Sequence, residues 1–213
     1  MKKILLGFIA IGLFTFVGCD KEDEDKNNES NSENNTNSGE AKTCQEIEFT
    51  WNDVTNPTTG RTWMDRNLGA SQVATSSSDE NAYGDLYQWG RGSDGHQCRG
   101  SEITDPTWEE EKNSLSSGDT PGHGDFITLN INAFEVWDWR NPQNDSLWQG
   151  VDGINNPCPT GYRLPTKTEW EEEVESWTSE DANGAFGSVL RLPMAGERLV
   201  SDGILITVGA AGK

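Results

Sequence analysis

This chain of 213 residues is short of positive charge: 16 lysines and arginines stand against 36 acidic residues, a formal net charge of -20. Phosphate backbones are held by concentrated Lys and Arg, so nucleic acid is excluded as a partner, and docking onto anionic lipid through basic patches is excluded with it. Histidine is scarce as well. His96 and His123 are the two present, each in a glycine-rich stretch with no second Cys or His at zinc-ligand spacing. No phosphate loop and no nucleophile motif occurs, which removes the best-marked enzyme classes. No apolar run reaches the ~20 residues of a membrane-spanning helix, and no repeat of 20 to 50 residues is visible.

What is present begins with Lys2 and Lys3, an apolar run from Ile4 to Val17, and Gly18-Cys19. As a helix that run would span about 21 Å against a hydrocarbon core of about 30 Å, so residues 1–18 are predicted to be a secretory signal peptide. The junction resembles the lipobox of bacterial lipoproteins, with Phe16 where those proteins prefer Leu. The resemblance implies cleavage before Cys19 and lipidation of its sulfur; ordinary cleavage with Cys19 as a free thiol is the alternative. An acidic cluster, Asp20 to Lys26, and an Asn, Ser and Glu-rich run to Ala41 follow. Without an aromatic residue such a stretch cannot order itself. Residues 19–43 are therefore predicted to be a disordered acidic tether, spanning on the order of 27 Å. Its acids resemble the surface-export signal of some Gram-negative lipoproteins, or form a merely solubilising linker. The implied location is the bacterial outer membrane, with the domain facing the cell surface or the periplasm and the lipid anchor as its sole membrane contact.

Residues 44–213 are long enough for one domain with a real core. Nine tryptophans let a few large side chains organise it with little regular structure. Arg61 to Ala70 is predicted to be a short strand and a turn, with Trp63 and Leu68 in the core. Glu80 to Gly90 is predicted to be a short helix or turn that buries Tyr83, Leu86 and Tyr87, with Trp89 beyond. Val189 to Ala195 and Ile204 to Val208 are predicted to be two β segments about a turn at Asp202-Gly203. Few helices and short strands mean an α+β fold with long loops.

The segment from Asn156 to Trp170 is a turn-rich loop entering a well-marked helix. Thr166 and Glu169 fit a capping box. Trp170, Val174 and Trp177 recur at i, i+4 and i+7, which lays one apolar stripe on a core and turns Glu171, Glu172, Glu173 and Glu175 mostly to water.

Three blocks carry a resemblance: Trp63 to Ala70, Tyr83 to Arg91, and Pro157 to Trp170. Their order resembles the Fibrobacter major paralogous domain family, FISUMP for short, and is similar in turn to the formylglycine-generating, sulfatase-modifying-factor proteins. The resemblance implies a C-type-lectin-like fold. In that family a segment like Leu192 to Gly212 is followed by an aromatic Trp-Ser-Ser strand that closes the sheet, so the domain is expected to be incomplete at its C-terminus. The formylglycine-generating enzymes use a late cysteine pair, and no cysteine follows Cys158.

With Cys19 lipidated, three cysteines remain. Cys98 and Cys158 lie in Gly and Pro-rich loops inside the domain and are expected to form a disulfide, worth roughly 4 kcal/mol by loop-closure entropy; Cys44, beside the tether, is free or pairs elsewhere. A ligand site is predicted at Trp137, Asp138, Trp139, Arg140, Asn144, Asp145 and Trp148, where flat aromatic faces alternate with fixed polar groups, as sugar binding requires. No cofactor is required, though calcium suits the oxygen donors. The same residues read more readily as structural tryptophans and loop turns. Trp51-Asn52-Asp53 spells a motif of calcium-dependent lectins but precedes the matched blocks, a coincidence. The expected function is thus non-catalytic, a binding or scaffold module for a glycan or protein ligand. The alternatives are an oxidase completed by cysteines beyond Lys213, and a structural surface or adhesin component.

Overall fold

The computed structural model describes residues 18–22, 37–38, 44, 49–104, 115–129 and 138–210. Residues 1–17 of the expected signal peptide, most of the expected tether and Trp137 lie outside them. The described residues form an α+β fold in which short antiparallel strands and small helices are joined by long loops.

The strands are β1 (Asp20–Lys21), β2 (Asn37–Ser38), β3 (Thr50–Trp51), β4 (Asp53–Thr55), β5 (Thr62–Met64), β6 (Tyr162–Arg163), β7 (Glu197–Arg198) and β8 (Leu205–Ile206). The main sheet has the order β4-β5-β1-β6, while β2-β3 and β7-β8 form separate pairs. The β4-β5 hairpin is set by its turn: the Asn56 amide donates to the Arg61 carbonyl at 2.9 Å, and the Asn56 side chain accepts from the Thr58 amide at 2.8 Å. Asn favours such turns because its carboxamide stands in for a backbone acceptor. Val54 pairs with Trp63 across the hairpin.

Strand β1 corrects the expected tether. Asp20 pairs with Trp63 on one side and Arg163 on the other, and β2 pairs with β3, so these residues of the acidic segment belong to sheets. A buried carboxylate needs a partner, and Asp20, 1% exposed, lies 3.5 Å from both Arg61 and Arg163. Lys21 reaches Asp53 at 2.7 Å and Glu22 reaches Arg163 at 3.0 Å.

The disulfide expectation is also corrected. Cys98 is joined to Cys44, and Cys158 to Cys19, with Cα separations of 5.3 and 5.8 Å. Cys98 and Cys158 are not joined to each other, because β1 places Cys19 against Cys158 within the core around Trp51, Met64 and Tyr162. The Cys19 sulfur expected to carry lipid is thus bonded to Cys158 in this structure.

Helix α1 (Lys167–Glu175) starts at a full capping box: Thr166 accepts from the Glu169 amide and Glu169 accepts from the Thr166 amide. Trp170 and Trp177 pack with Trp63, Leu190 and Leu192, as the stripe predicts. Glu173 departs from the expectation that the acidic run faces water. It is completely buried, accepting from Asn56 Nδ2 at 2.8 Å and Trp177 Nε1 at 3.3 Å. Helix α2 (Ala182–Gly187) follows, capped by Asp181.

Trp63 and Leu68 are buried, as are Tyr83, Leu86 and Tyr87, beside a single 3-10 turn at Glu80–Ala82. Strand β8 falls inside the predicted Ile204 to Val208. Its partner is Glu197–Arg198, not Val189 to Ala195, whose Leu190 and Leu192 serve the core as irregular backbone.

Candidate functional site: a polar cleft held by a buried arginine

Loops from Gly92 to Asp94 and from Asp119 to Gly124, with Asn155, line a cleft of about 550 Å³. Its walls are mostly Gly, Ser, Thr and Asp, so their shape must come from fixed hydrogen bonds instead of apolar packing. Arg91 supplies many of them. Its side chain is 0% exposed, donating from Nε to Asp94 at 2.7 Å, from Nη1 to Gln88 Oε1 at 2.8 Å and the Asp125 carbonyl at 2.9 Å, and from Nη2 to the His123 carbonyl at 2.7 Å. One planar fork thereby ties both cleft loops together. Gln88 extends the tie, accepting from the Ile127 amide and donating to the Ile127 carbonyl.

His96 completes the network. Its Nε2 accepts from the Gln88 amide at 3.0 Å, so the neutral ring carries its proton on Nδ1, which faces Asp94 Oδ1 at 2.7 Å. Burial lowers the His96 pKa to about 4, outweighing the carboxylate beside it. For Asp94 burial acts upward, but the bonds to His96 and Arg91 win and hold it below the usual carboxylate range. With both ring nitrogens engaged, His96 is a structural strut and is not placed to take a proton from a ligand. On the cleft wall, His123 Nδ1 lies 3.2 Å from the Asp125 amide nitrogen and 3.4 Å from the Asp125 carboxylate.

The second wall is organised by Asp119. Arg140 Nε lies 2.9 Å from its carboxylate, and Asn144 donates to the same oxygen at 3.2 Å. Asn155 donates to the carbonyls of Asp119 and Gly90, both at 2.8 Å. Arg140 and Asn144 therefore support the cleft from behind, and neither lines it.

The two described tryptophans of the predicted site are corrected. Trp139 and Trp148 are 3% and 6% exposed; each donates its indole N–H to a loop carbonyl, Trp139 to Trp89 at 2.7 Å and Trp148 to Arg91 at 3.2 Å. Buried faces with satisfied N–H groups are core anchors, not sugar platforms. Trp137 is outside the described residues. Asp138 accepts from the Arg140 amide at 3.1 Å, with its pKa raised by burial, and Asp145 is exposed, its carbonyl accepting from Gln149. Neither is among the cleft-lining residues. Asn52 and Asp53 of the lectin-like tripeptide are engaged by Asp65, Tyr162 and Lys21, and Trp51 is buried.

Sequence reasoning missed Asp94, Asp119 and Asn155. The one local signal was the Gly-rich spacing of Arg91-Gly92-Ser93-Asp94-Gly95-His96, within which Asp94 finds Arg91 and His96, whereas Asp119 and Asn155 meet across 36 residues. Among the described residues, no group of three or more His, Cys, Asp or Glu is placed to hold a metal ion, and no helix is long and apolar enough to cross a membrane. No protein-family model, curated protein or solved structure matches the chain.

Proposed function

We propose that this is an exported lipoprotein of the outer membrane whose FISUMP-like, C-type-lectin-like domain binds an external glycan or protein ligand in the polar cleft, without catalysis and without a required cofactor. The observation that carries the reading is the cleft itself: its loops are irregular, yet a fully buried arginine ties Asp94 of one loop to the His123 carbonyl of the other, and buried Trp139 and Trp148 hold the carbonyls of Trp89 and Arg91 just before the first loop. Fixing a binding loop before the ligand arrives reduces the ordering cost of association. The fold reading is supported by the meeting of the three resembling blocks: Trp63 packs edge-on against Trp170 at 6.1 Å, and Leu68, Tyr87 and Tyr162 share one core cluster. Lipid attachment in this reading requires the Cys19 sulfur to be released from Cys158.

A glycan array and a pull-down from surface extracts, run with the full chain and with Thr120→Trp, test it. Thr120 is an exposed lining residue, so a bulky side chain there should block the cleft and abolish a signal seen with the native protein. Blank results with the native chain, or equal binding by the variant, contradict the reading.

A further inference from the structure

We propose that the Cys19–Cys158 disulfide latches β1 into the main sheet in competition with acylation of the same sulfur, so that anchoring the chain to lipid releases the strand and uncovers Cys158. This rests on the lipid-anchor reading above. Its own support is the seat of β1. Cys19 is 0% exposed, in a cluster with Phe49, Trp51, Met64, Leu68, Tyr87, Trp148 and Tyr162, and its carbonyl accepts from the Met64 amide at 3.0 Å. A glyceryl thioether with two acyl chains has no room on a sulfur that is packed on every side. The acylated chain must therefore withdraw Cys19, and with it the strand.

Other contacts of the strand are weaker holds. Lys21–Asp53 and Glu22–Arg163 are partly exposed pairs, of a kind that contributes little. Asp20 shares Arg61 and Arg163 with Glu169, so both arginines keep a carboxylate partner after β1 leaves. A strand of two residues also makes few backbone bonds, which leaves the covalent link as the main restraint.

The two fates balance chemically. In one, the Cys19 and Cys158 thiols give up their hydrogens to the disulfide of an exported oxidant, which is reduced to two thiols as the S–S bond forms. In the other, the Cys19 sulfur displaces the phosphate headgroup from the glyceryl carbon of a phospholipid. A C–S bond forms, a C–O bond breaks, and the proton leaves with the headgroup.

The test separates membrane-bound from soluble full-length chain, reads Cys19 acylation by peptide mass, and treats each native fraction with a maleimide. The acylated fraction should label at Cys158 and its Met64 amide should exchange at least about tenfold faster than in the soluble, disulfide-linked fraction. The amides bonded on the β4 side of the hairpin, Asn56 to the Arg61 carbonyl and Asp65 to the Asn52 carbonyl, take no bond from β1 and should exchange alike in both. Cys158→Ser should raise the acylated share and speed Met64 exchange in whatever remains soluble. An acylated chain with Cys158 unlabelled or Met64 still protected overturns the competition, and Cys158→Ser with undiminished Met64 protection overturns the latch. If the variant does not fold, labelling of the native acylated chain decides. Absence of acylated peptide from every fraction overturns the lipid-anchor reading and the competition with it, and exchange in Cys158→Ser then decides the latch alone.

Discussion

Asn56 donates from Nδ2 to Glu173 Oε2 at 2.8 Å across 117 residues, joining the β4-β5 turn to the buried side of α1. Asn56 also donates to Ser176 Oγ at 2.8 Å, and Trp177 donates to Glu173 Oε1. Asn56→Ala takes a donor from a fully buried side-chain oxygen of Glu173, and leaving a buried polar group without its partner costs about 1 to 3 kcal/mol. Urea unfolding should show a loss in that range with an unchanged m-value. A loss below about 0.5 kcal/mol would mean the bond is spare.

Asp85 and His96 give opposing pH responses. Burial pushes Asp85 up to about 7, against a hydrogen bond from the Cys44 amide and the charge of Arg99, and lowers His96 to about 4. Between about 4 and 6.5 the unfolded chain binds a proton at His96 that the folded chain refuses, so this group makes stability fall as pH falls. Between about 4 and 7 the folded chain holds the proton on Asp85, so that group makes stability rise as pH falls. Each effect is on the order of 3 to 4 kcal/mol over its whole window. Asp85→Asn removes one of them: the variant should be more stable than the native protein at pH 8 and lose stability far more steeply from pH 6.5 to 4.5. Parallel stability curves for the two proteins would refute the assignment.

Gly84 has φ +67, and a Cβ there would stand 2.3 Å from the Leu68 carbonyl oxygen. The neighbouring Asp85 amide donates to that same carbonyl at 2.8 Å, so the backbone cannot retreat without breaking a buried bond. Gly84→Ala combines left-handed strain of about 1 to 2 kcal/mol with this collision. Thermal unfolding should show a loss of at least about 2 kcal/mol, whereas Gly60→Ala, also at positive φ but with open space around it, should show the strain alone.

Arg91→Met should empty the hub of the cleft. Asp94 would lose its cation, and the carbonyls of His123 and Asp125 and the Gln88 oxygen would lose a donor. Removing one partner of a buried ion pair costs about 3 to 5 kcal/mol. Arg91→Lys restores charge without the fork and should recover only part of that loss. Full recovery with Lys would show that charge, not geometry, organises the loops.

Much of the frame was legible in local pattern. The Thr166 and Glu169 cap, the Trp170 and Trp177 stripe, and the burial of Trp63 and Leu68 each follow from spacing over a few residues. What was illegible depends on distant partners. Glu173 sits in an acidic run that reads as a solvated face, and only Asn56 and Trp177 make its burial tolerable. Trp139 and Trp148 look like a sugar platform in a sequence, while their roles as anchors depend on the carbonyls of Trp89 and Arg91. Asp20 lies in an acidic cluster of the kind that stays in solvent, and its place in the sheet is set by Arg61, 41 positions away, and by Arg163, farther still along the chain.

The claim on which most depends is that the segment starting at Cys19 is part of the folded sheet. Peptide mapping of the soluble, non-reduced full-length protein tests it most directly. The account predicts cross-linked peptides joining Cys19 to Cys158 and Cys44 to Cys98. A cross-link between Cys98 and Cys158, with Cys19 free, would contradict it.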